Sequence, residues 1–325
     1  AFCSAGVEQA EAKDAAEILT LAEGMGITTH GLNRVSNYMA KIAAGSIDPT
    51  AKASVKVLAP ALCCINGHGG LGPVTARRAL GEALEAARAV GVGAAFVRGG
   101  GHLGALAPYL FIAAEAGFAA VLTSNTAPMI APAGGTSARI GNNPLGFGVP
   151  HPGGQHVLFD MALSVVARSR VRAAAEKGVP IPDTWATDVE GHPTTDANLA
   201  IKGLMRAVGG DKGANLALCL DLMAGGLSGA LMLDESPNAS AHPERSQNLG
   251  QMFILIDAAR LLAPDTLQER MEDAARIISE TPAIDNAQAV RLPGARALNS
   301  LQKARETGLE LSDDLMSELV ALAGR

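Results

Sequence analysis

Between residues 8 and 24, Ala12, Ala15, Ala16, Leu19 and Ala22 return at helical spacing, which predicts an amphipathic helix. Thr28 or Thr29 can cap a second helix that runs to about Ala44 and stops at Gly45. Residues 55–65 read as one strand ending in the glycines of 67–72, and 74–90 as a helix. A short apolar strand over 92–97, a turn over 98–101 and a helix over 105–116 follow, then a strand over 119–124. The stretch 125–154 is rich in Pro, Gly and Asn and reads as functional loops around short strands. Residues 157–160 read as a strand entering a helix up to about Lys177, and 183–196 as loop. A buried, almost uncharged helix is predicted over 213–230 and a flexible surface loop over 235–250. A strand over 253–257, a helix over 265–280, a turn at Pro293 and Gly294 and two closing helical stretches complete the pattern. Strands alternate with helices, so the class is α/β.

A length of 325 residues allows about two domains. Apolar residues make up 48% and charged ones 18%, which excludes a disordered chain. Mean hydropathy is +0.20, yet no apolar run approaches the roughly 18 residues of a membrane helix, so no spanning segment is expected. Net charge is −6 and aromatics are 3%, with Lys and Arg scattered. A nucleic-acid binder would carry a basic stripe and stacking rings, so no nucleic-acid partner is expected. Cys63 and Cys64 are adjacent, and they and Cys3 and Cys219 sit among apolar neighbours, without zinc-ligand spacing. Free thiols in a reducing cytoplasm are the reading, and no metal is expected. No signal peptide is visible. The chain opens at Ala1, without Met, in what reads as the middle of a helix, so the natural N-terminus is expected to precede it.

Two strings fit Gly-x-Gly-x-x-Gly: Gly67, Gly69, Gly72 and Gly99, Gly101, Gly104. The second lies between a strand and a helix, where a dinucleotide fingerprint belongs. That fingerprint also needs an acid at the end of the next strand, and here the strand ends in Thr123, Ser124 and Asn125. Among 37 glycines such strings arise by chance, so tight turns with close backbone packing are the favoured reading.

His30, Arg34 and Tyr38 are spaced four apart. At about 100° per residue each step turns by only about 40°, so the three share one face of the predicted helix. Thr29 precedes them near the helix start, where amides favour anions. Arg34 can hold a carboxylate by paired hydrogen bonds, and His30 can exchange a proton near neutral pH. The competing reading is a solvated helix face with an incidental histidine. His102 follows three glycines and would be displayed at a loop tip. Lys212 precedes Gly213 at a helix start and can bind phosphate or cofactor oxygens, or be a solvated turn lysine. Asp160 can accept from a ribose hydroxyl or cap a helix, the commoner role. Trp185 reads as a packing anchor, and His68, His151, His156, His192 and His242 are given no role.

These motifs, in order, resemble the malate/L-lactate dehydrogenase family that is distinct from the Rossmann-type enzymes. They are Thr29-His30-Gly31 with Arg34 and Tyr38, Gly101-His102-Leu103-Gly104, Gly141-Asn142-Asn143-Pro144 and Phe159-Asp160-Met161-Ala162. Ile181-Pro182-Asp183-Thr184-Trp185-Ala186, Pro193-Thr194-Thr195-Asp196, Asp211-Lys212-Gly213, Asn248-Leu249-Gly250 and Pro293-Gly294 complete the set. The two strings around Trp185 and Thr194 look most like the ureidoglycolate dehydrogenase branch.

The resemblance implies a non-Rossmann NAD(P)-binding α/β fold, with a helical domain formed by the two chain ends. It implies a helical domain of 1–56 plus 272–325, a central α/β domain of 57–107 plus 219–271 with dimer contacts, and an NAD(P)-binding domain of 108–218. It implies a cytoplasmic homodimer that uses NAD or NADP to transfer a hydride to or from a small 2-hydroxy or 2-oxo carboxylate. The alternatives are a reductase of cyclic 2-imino carboxylates, or a non-catalytic ligand-binding relative. By the same resemblance His30 or His102 exchanges the proton, with Thr29 on the proton path. Arg34 clamps the carboxylate with help from Tyr38, and Thr126 and Asn142 lie on the substrate side. His102, Gly104, Ala105, Leu106, Asp160, Met161, Ala162, Lys212, Gly213, Pro293, Gly294 and Ala295 fall in cofactor-contacting segments. Four departures bear on the substrate and cofactor. Thr28-Thr29 stands for the family's Asp-Ser, Asn142 for a threonine, Ala295 for a glutamate, and Thr126-Ala127-Pro128 for the Ser-Asp-Pro of the ureidoglycolate branch.

Overall fold

The computed structural model of the chain describes residues 1–237, 242–284 and 289–324. Helix α1 (Gln9–Gly24) forms where its apolar period predicts it, with Ala12, Ala15, Leu19 and Ala22 buried. The second predicted helix is two elements: a single 3-10 turn, Thr28–His30, and then helix α2 (Arg34–Ala43). The break is at Gly31, where a Cβ would meet Glu23 Oε2 at 2.1 Å. That oxygen accepts from the Leu32 amide at 2.9 Å, so a carboxylate from α1 serves the start of α2 and neither threonine caps it. The expected single face is thereby corrected: Arg34 and Tyr38 belong to α2, and His30 sits on the turn before it.

Residues 55–65 form a hairpin instead of one strand. Strands β1 (Ser54–Ala59) and β2 (Leu62–Asn66) pair antiparallel on either side of Pro60 and Ala61. Helix α3 (Gly72–Val90) ends at Gly91, left-handed at φ +95°, and leads into β3 (Val92–Gly100). Helix α4 (Ala107–Glu115) and strands β4 (Phe118–Ser124), β5 (Leu145–Val149) and β6 (Val157–Met161) follow. Strand β6 does not run into a helix as expected; α5 (Arg168–Glu176) begins after a loop. Next come α6 (Ala197–Lys202) and α7 (Asp211–Asp221), the latter closing in a wider π-type turn, Leu222–Gly226, short of residue 230. Strand β7 (Leu249–Asp257) and helices α8 (Pro264–Ser279), α9 (Ala295–Thr307) and α10 (Asp313–Ala323) finish the chain. Of the loop expected over 235–250, residues 238–241 lie outside the described residues, and its last two residues belong to β7.

The sheet runs β1-β2-β3-β7-β4-β5-β6. Strand β7 is antiparallel to both neighbours, β3 and β4, and β2–β3 is the parallel pair among the described strands. A Rossmann sheet is parallel throughout its nucleotide-binding half, so the two glycine strings work in another geometry. They press two loops together: a Cβ on Gly67 would stand 2.7 Å from the Gly99 carbonyl, and one on Gly72 would stand 2.1 Å from the His102 carbonyl. One core lies between the sheet and α3 and α4, and a second is built around α5, α6 and α7. At the chain ends α1 packs on α9 and α2 on α10. Among the described residues no helix is long and apolar enough to cross a membrane.

Candidate active site

The glycine-lined approach of the two loops presents His102 to α2. Tyr38, fully buried in α2, meets it twice: the phenol oxygen lies 2.9 Å from His102 Nδ1 and 3.0 Å from the His102 carbonyl oxygen. A carbonyl only accepts, so the single phenol proton goes to it and Nδ1–H must donate to the phenol oxygen. The His102 ring is thereby held in the tautomer whose Nε2 carries a free lone pair. Burial keeps the Tyr38 phenol protonated far above its ordinary pKa, with the nearby Arg34 opposing this. Burial, then the charges of Arg34, His30 and Lys41, push His102 well below the usual histidine value.

His30 stacks beside this ring, centroids 5.5 Å apart and planes 27° off parallel. Its Nδ1 lies 3.0 Å from Thr29 Oγ1. Burial and the Arg34 charge bring its pKa from 6.5 down to about 4. Both imidazoles are therefore neutral near pH 7. Arg34 Nε donates to the Thr29 carbonyl at 2.7 Å, which orients the guanidinium and leaves its terminal nitrogens for a ligand.

His30, Arg34, Lys41 and His102 line a cleft of about 820 Å³. This lies within the roughly 300–1,000 Å³ of small-molecule and cofactor sites. Its floor runs over Leu103, Gly104, Ala105, Leu106 and Ala107 to Leu158, Asp160 and Gly294. Asp160 Oδ2 accepts from the Leu106 and Ala107 amides at 2.8 and 2.9 Å, so it caps α4 from β6. By surface area Asp160 is open to the cleft, yet the walls around its carboxyl raise its pKa, and the two amides pull it back down. Gly104 lines the floor as bare backbone at φ +92°.

The far wall is Thr126 and Asn142, joined by Thr126 Oγ1 donating to Asn142 Oδ1 at 2.9 Å. Behind it lies Asp221, fully buried, which sequence reasoning missed because it looks like the end of an ordinary helix. It accepts from Asn125 Nδ2 at 3.3 Å, Asn143 Nδ2 at 3.0 Å and the Leu233 amide at 3.0 Å. One carboxylate thus ties together the two loops that carry Thr126 and Asn142.

The cleft brings together His30, Arg34, His102, Gly104, Ala105, Leu106, Thr126, Asn142, Asp160, Ala162 and Gly294. Tyr38 stands behind His102, and Thr29 beside His30. Met161 packs toward the core around α5 to α7, and the Pro293 carbonyl accepts from the Leu158 amide. Lys212 is exposed and Gly213 buried in the first turn of α7, and neither they nor Ala295 line the cleft. Lys41, Gln247 and Arg296 line it without having been predicted.

Three known proteins are similar along nearly the whole chain. A Delta(1)-pyrroline-2-carboxylate/Delta(1)-piperideine-2-carboxylate reductase of Pseudomonas aeruginosa is 33% identical over 314 residues, covering 97% of this chain and 92% of that one. The NAD(+) ureidoglycolate dehydrogenase of Escherichia coli is 30% identical over 320 residues, covering 98% and 91%. The solved sulfolactate dehydrogenase from Methanocaldococcus jannaschii superposes with a TM-score of 0.88 at 28% identity, covering 98% of this chain and 91% of that one. With residues 1–320 matching it, the chain belongs to the malate/L-lactate dehydrogenase family.

Proposed function

We propose that this chain is an NAD(P)-dependent oxidoreductase of small 2-hydroxy and 2-oxo carboxylates. When bound, the nicotinamide supplies or accepts the hydride. Family membership and the size of the cleft support the cofactor, and Gly104, Ala105, Leu106, Asp160, Ala162 and Gly294 would hold it. Bare backbone at Gly104 suits close approach of a flat or phosphorylated group. Arg34 clamps the substrate carboxylate, and Thr126 and Asn142 border the rest of the acid. His102 exchanges the proton at Nε2. It takes the hydroxyl proton during oxidation and returns it to the carbonyl oxygen during reduction. Thr29 and His30 form the adjoining wall.

The observation that carries this reading is the Tyr38–His102 contact, which fixes the tautomer a proton acceptor needs, next to an arginine with free terminal nitrogens. The similarity to the Pseudomonas reductase favours a second reading, reduction of cyclic 2-imino carboxylates. The test is oxidation of NADH and NADPH over a panel of 2-oxo and cyclic 2-imino acids, with His102→Ala and His30→Ala alongside. Turnover that survives loss of His30 but not of His102 supports the assignment. No oxidation with any acid overturns it.

We further propose a cytoplasmic homodimer. Four free cysteines suit a reducing compartment. Exposed Leu216, Met223 and Leu227 recur at helical spacing along α7 and the turn after it, as a subunit contact would. Sedimentation of Leu227→Glu beside the parent chain tests the dimer.

A further inference from the structure

Arg34 and Lys41 are seven residues apart on α2, so two helical turns separate them, roughly 10 Å along the axis, and both side chains reach the same cleft. Tyr38, which holds His102, lies between them on that helix. Lys41 Nζ donates to Gln247 Oε1 at 3.1 Å, a neutral acceptor. Among the described residues the sole acid lining the cleft is Asp160, and the amides of Leu106 and Ala107 already occupy its Oδ2. Burial and the Arg34 charge both lower the Lys41 pKa, as expected for neighbouring cations in a cleft that Arg296 also lines.

A substrate with one carboxylate answers one of these cations and leaves the other half-buried beside it. A second anionic group answers both. We propose that Lys41 reads a second anionic group, carboxylate or sulfonate, on the carbon next to the reacting one, so that the substrates are dianions. This rests on the hydride-transfer reading above and names the substrate class of the same cleft. Lys41 is the specificity residue; Arg34 holds the carboxylate next to the reacting carbon in every substrate.

The experiment measures kcat/KM of the full chain for oxaloacetate and sulfopyruvate against pyruvate and 2-oxobutyrate, at constant ionic strength. The parent enzyme should prefer the dianions by about tenfold or more, and Lys41→Met should lower the dianion-to-monoacid ratio by a similar factor, chiefly through KM. Lys41→Arg should keep the preference. Gln247→Ala, which removes the neutral partner but keeps the charge, should keep it too, and it separates anion reading from mere tethering of the loop. The ratio of the oxaloacetate and sulfopyruvate rates tells which anion is the better fit. Parallel loss for both classes in Lys41→Met overturns the proposal, as does a parent enzyme that prefers monoacids or cyclic 2-imino carboxylates. Should Lys41→Met fail to fold, Lys41→Gln takes its place, and the same fall in the dianion-to-monoacid ratio is expected. If no acid oxidises NADH or NADPH, the hydride-transfer reading itself falls and takes this proposal with it; turnover without a dianion preference sinks this proposal alone.

Discussion

The Tyr38 hydroxyl gives its proton to the His102 carbonyl, 3.0 Å away, and so obliges the ring nitrogen 2.9 Å away to donate back. Tyr38→Phe removes both contacts and leaves the packing of the ring. Nothing then selects the tautomer with a free Nε2. We expect kcat to fall by about 10²-fold, the lower end of what a positioned acid or base contributes, with a smaller change in KM. Unfolding in urea should lose about 1–2 kcal/mol for the buried hydrogen bonds. Steady-state kinetics over pH and a denaturation curve check both, and an unaltered kcat would remove Tyr38 from the proton path.

A second expectation concerns pH. His30 has a folded pKa of about 4 against an ordinary 6.5. Between those values the unfolded chain binds a proton that the folded chain refuses, so stability rises with pH through this window. On acidification it begins to fall near 6.5 and stops falling, for this residue, below about 4. His102 is displaced in the same direction and extends the loss to lower pH. Urea midpoints measured across the window should slope upward with pH, and His30→Gln should flatten the slope. A flat profile in the parent chain would mean that His30 titrates normally.

Local signals were enough for α1, α3 and α8, whose boundaries follow from apolar period, Gly91 and Pro264. Signals that depend on distant partners were not. The break before α2 needs Glu23 to fill the space beside Gly31, which no local pattern encodes. Residues 253–257 look like a strand because they are apolar. Gly250 and Gln251 do not, and they enter β7 because β3 and β4 pair with it on both sides. At the site, Arg34 and His102 stand out by residue type and by the turn chemistry around them. Lys41 resembles a solvated lysine in the last turn of a helix, where lysine is common, until the fold brings Gln247 to it.

Asp160 offers a stability prediction separable from catalysis. Its Oδ2 serves the two amides at the start of α4 from a different element, β6. Asp160→Ala should cost about 1–2 kcal/mol, the range for losing a helix cap, and Asp160→Asn should cost less because one oxygen remains. Calorimetric unfolding of both variants gives the comparison. Equal losses would show that the negative charge matters more than the acceptor.

Asp221 presents the opposite case, a buried carboxylate whose partners are mostly satisfied elsewhere. Asn125 Nδ2 also donates to the Leu231 carbonyl and Asn143 Nδ2 to the Ala217 carbonyl. The Leu233 amide is the donor for which Asp221 is the described acceptor. Asp221→Ala therefore orphans one half-buried amide and opens a small cavity, and it should cost about 2–3 kcal/mol, not the larger penalty of leaving an ion unpaired. Because Asn143 also receives the Thr126 amide, slack at Asp221 loosens the Thr126–Asn142 wall. KM for the acid should rise more than kcat falls. Asp221→Asn keeps an acceptor for Leu233 and Asn125 but turns an amide nitrogen toward Asn143 Nδ2, so it should recover only part of the loss. Kinetics on the two variants, with a urea curve for each, separate a prop behind the substrate wall from a residue that acts only on folding: the latter would lower stability and leave KM where it was.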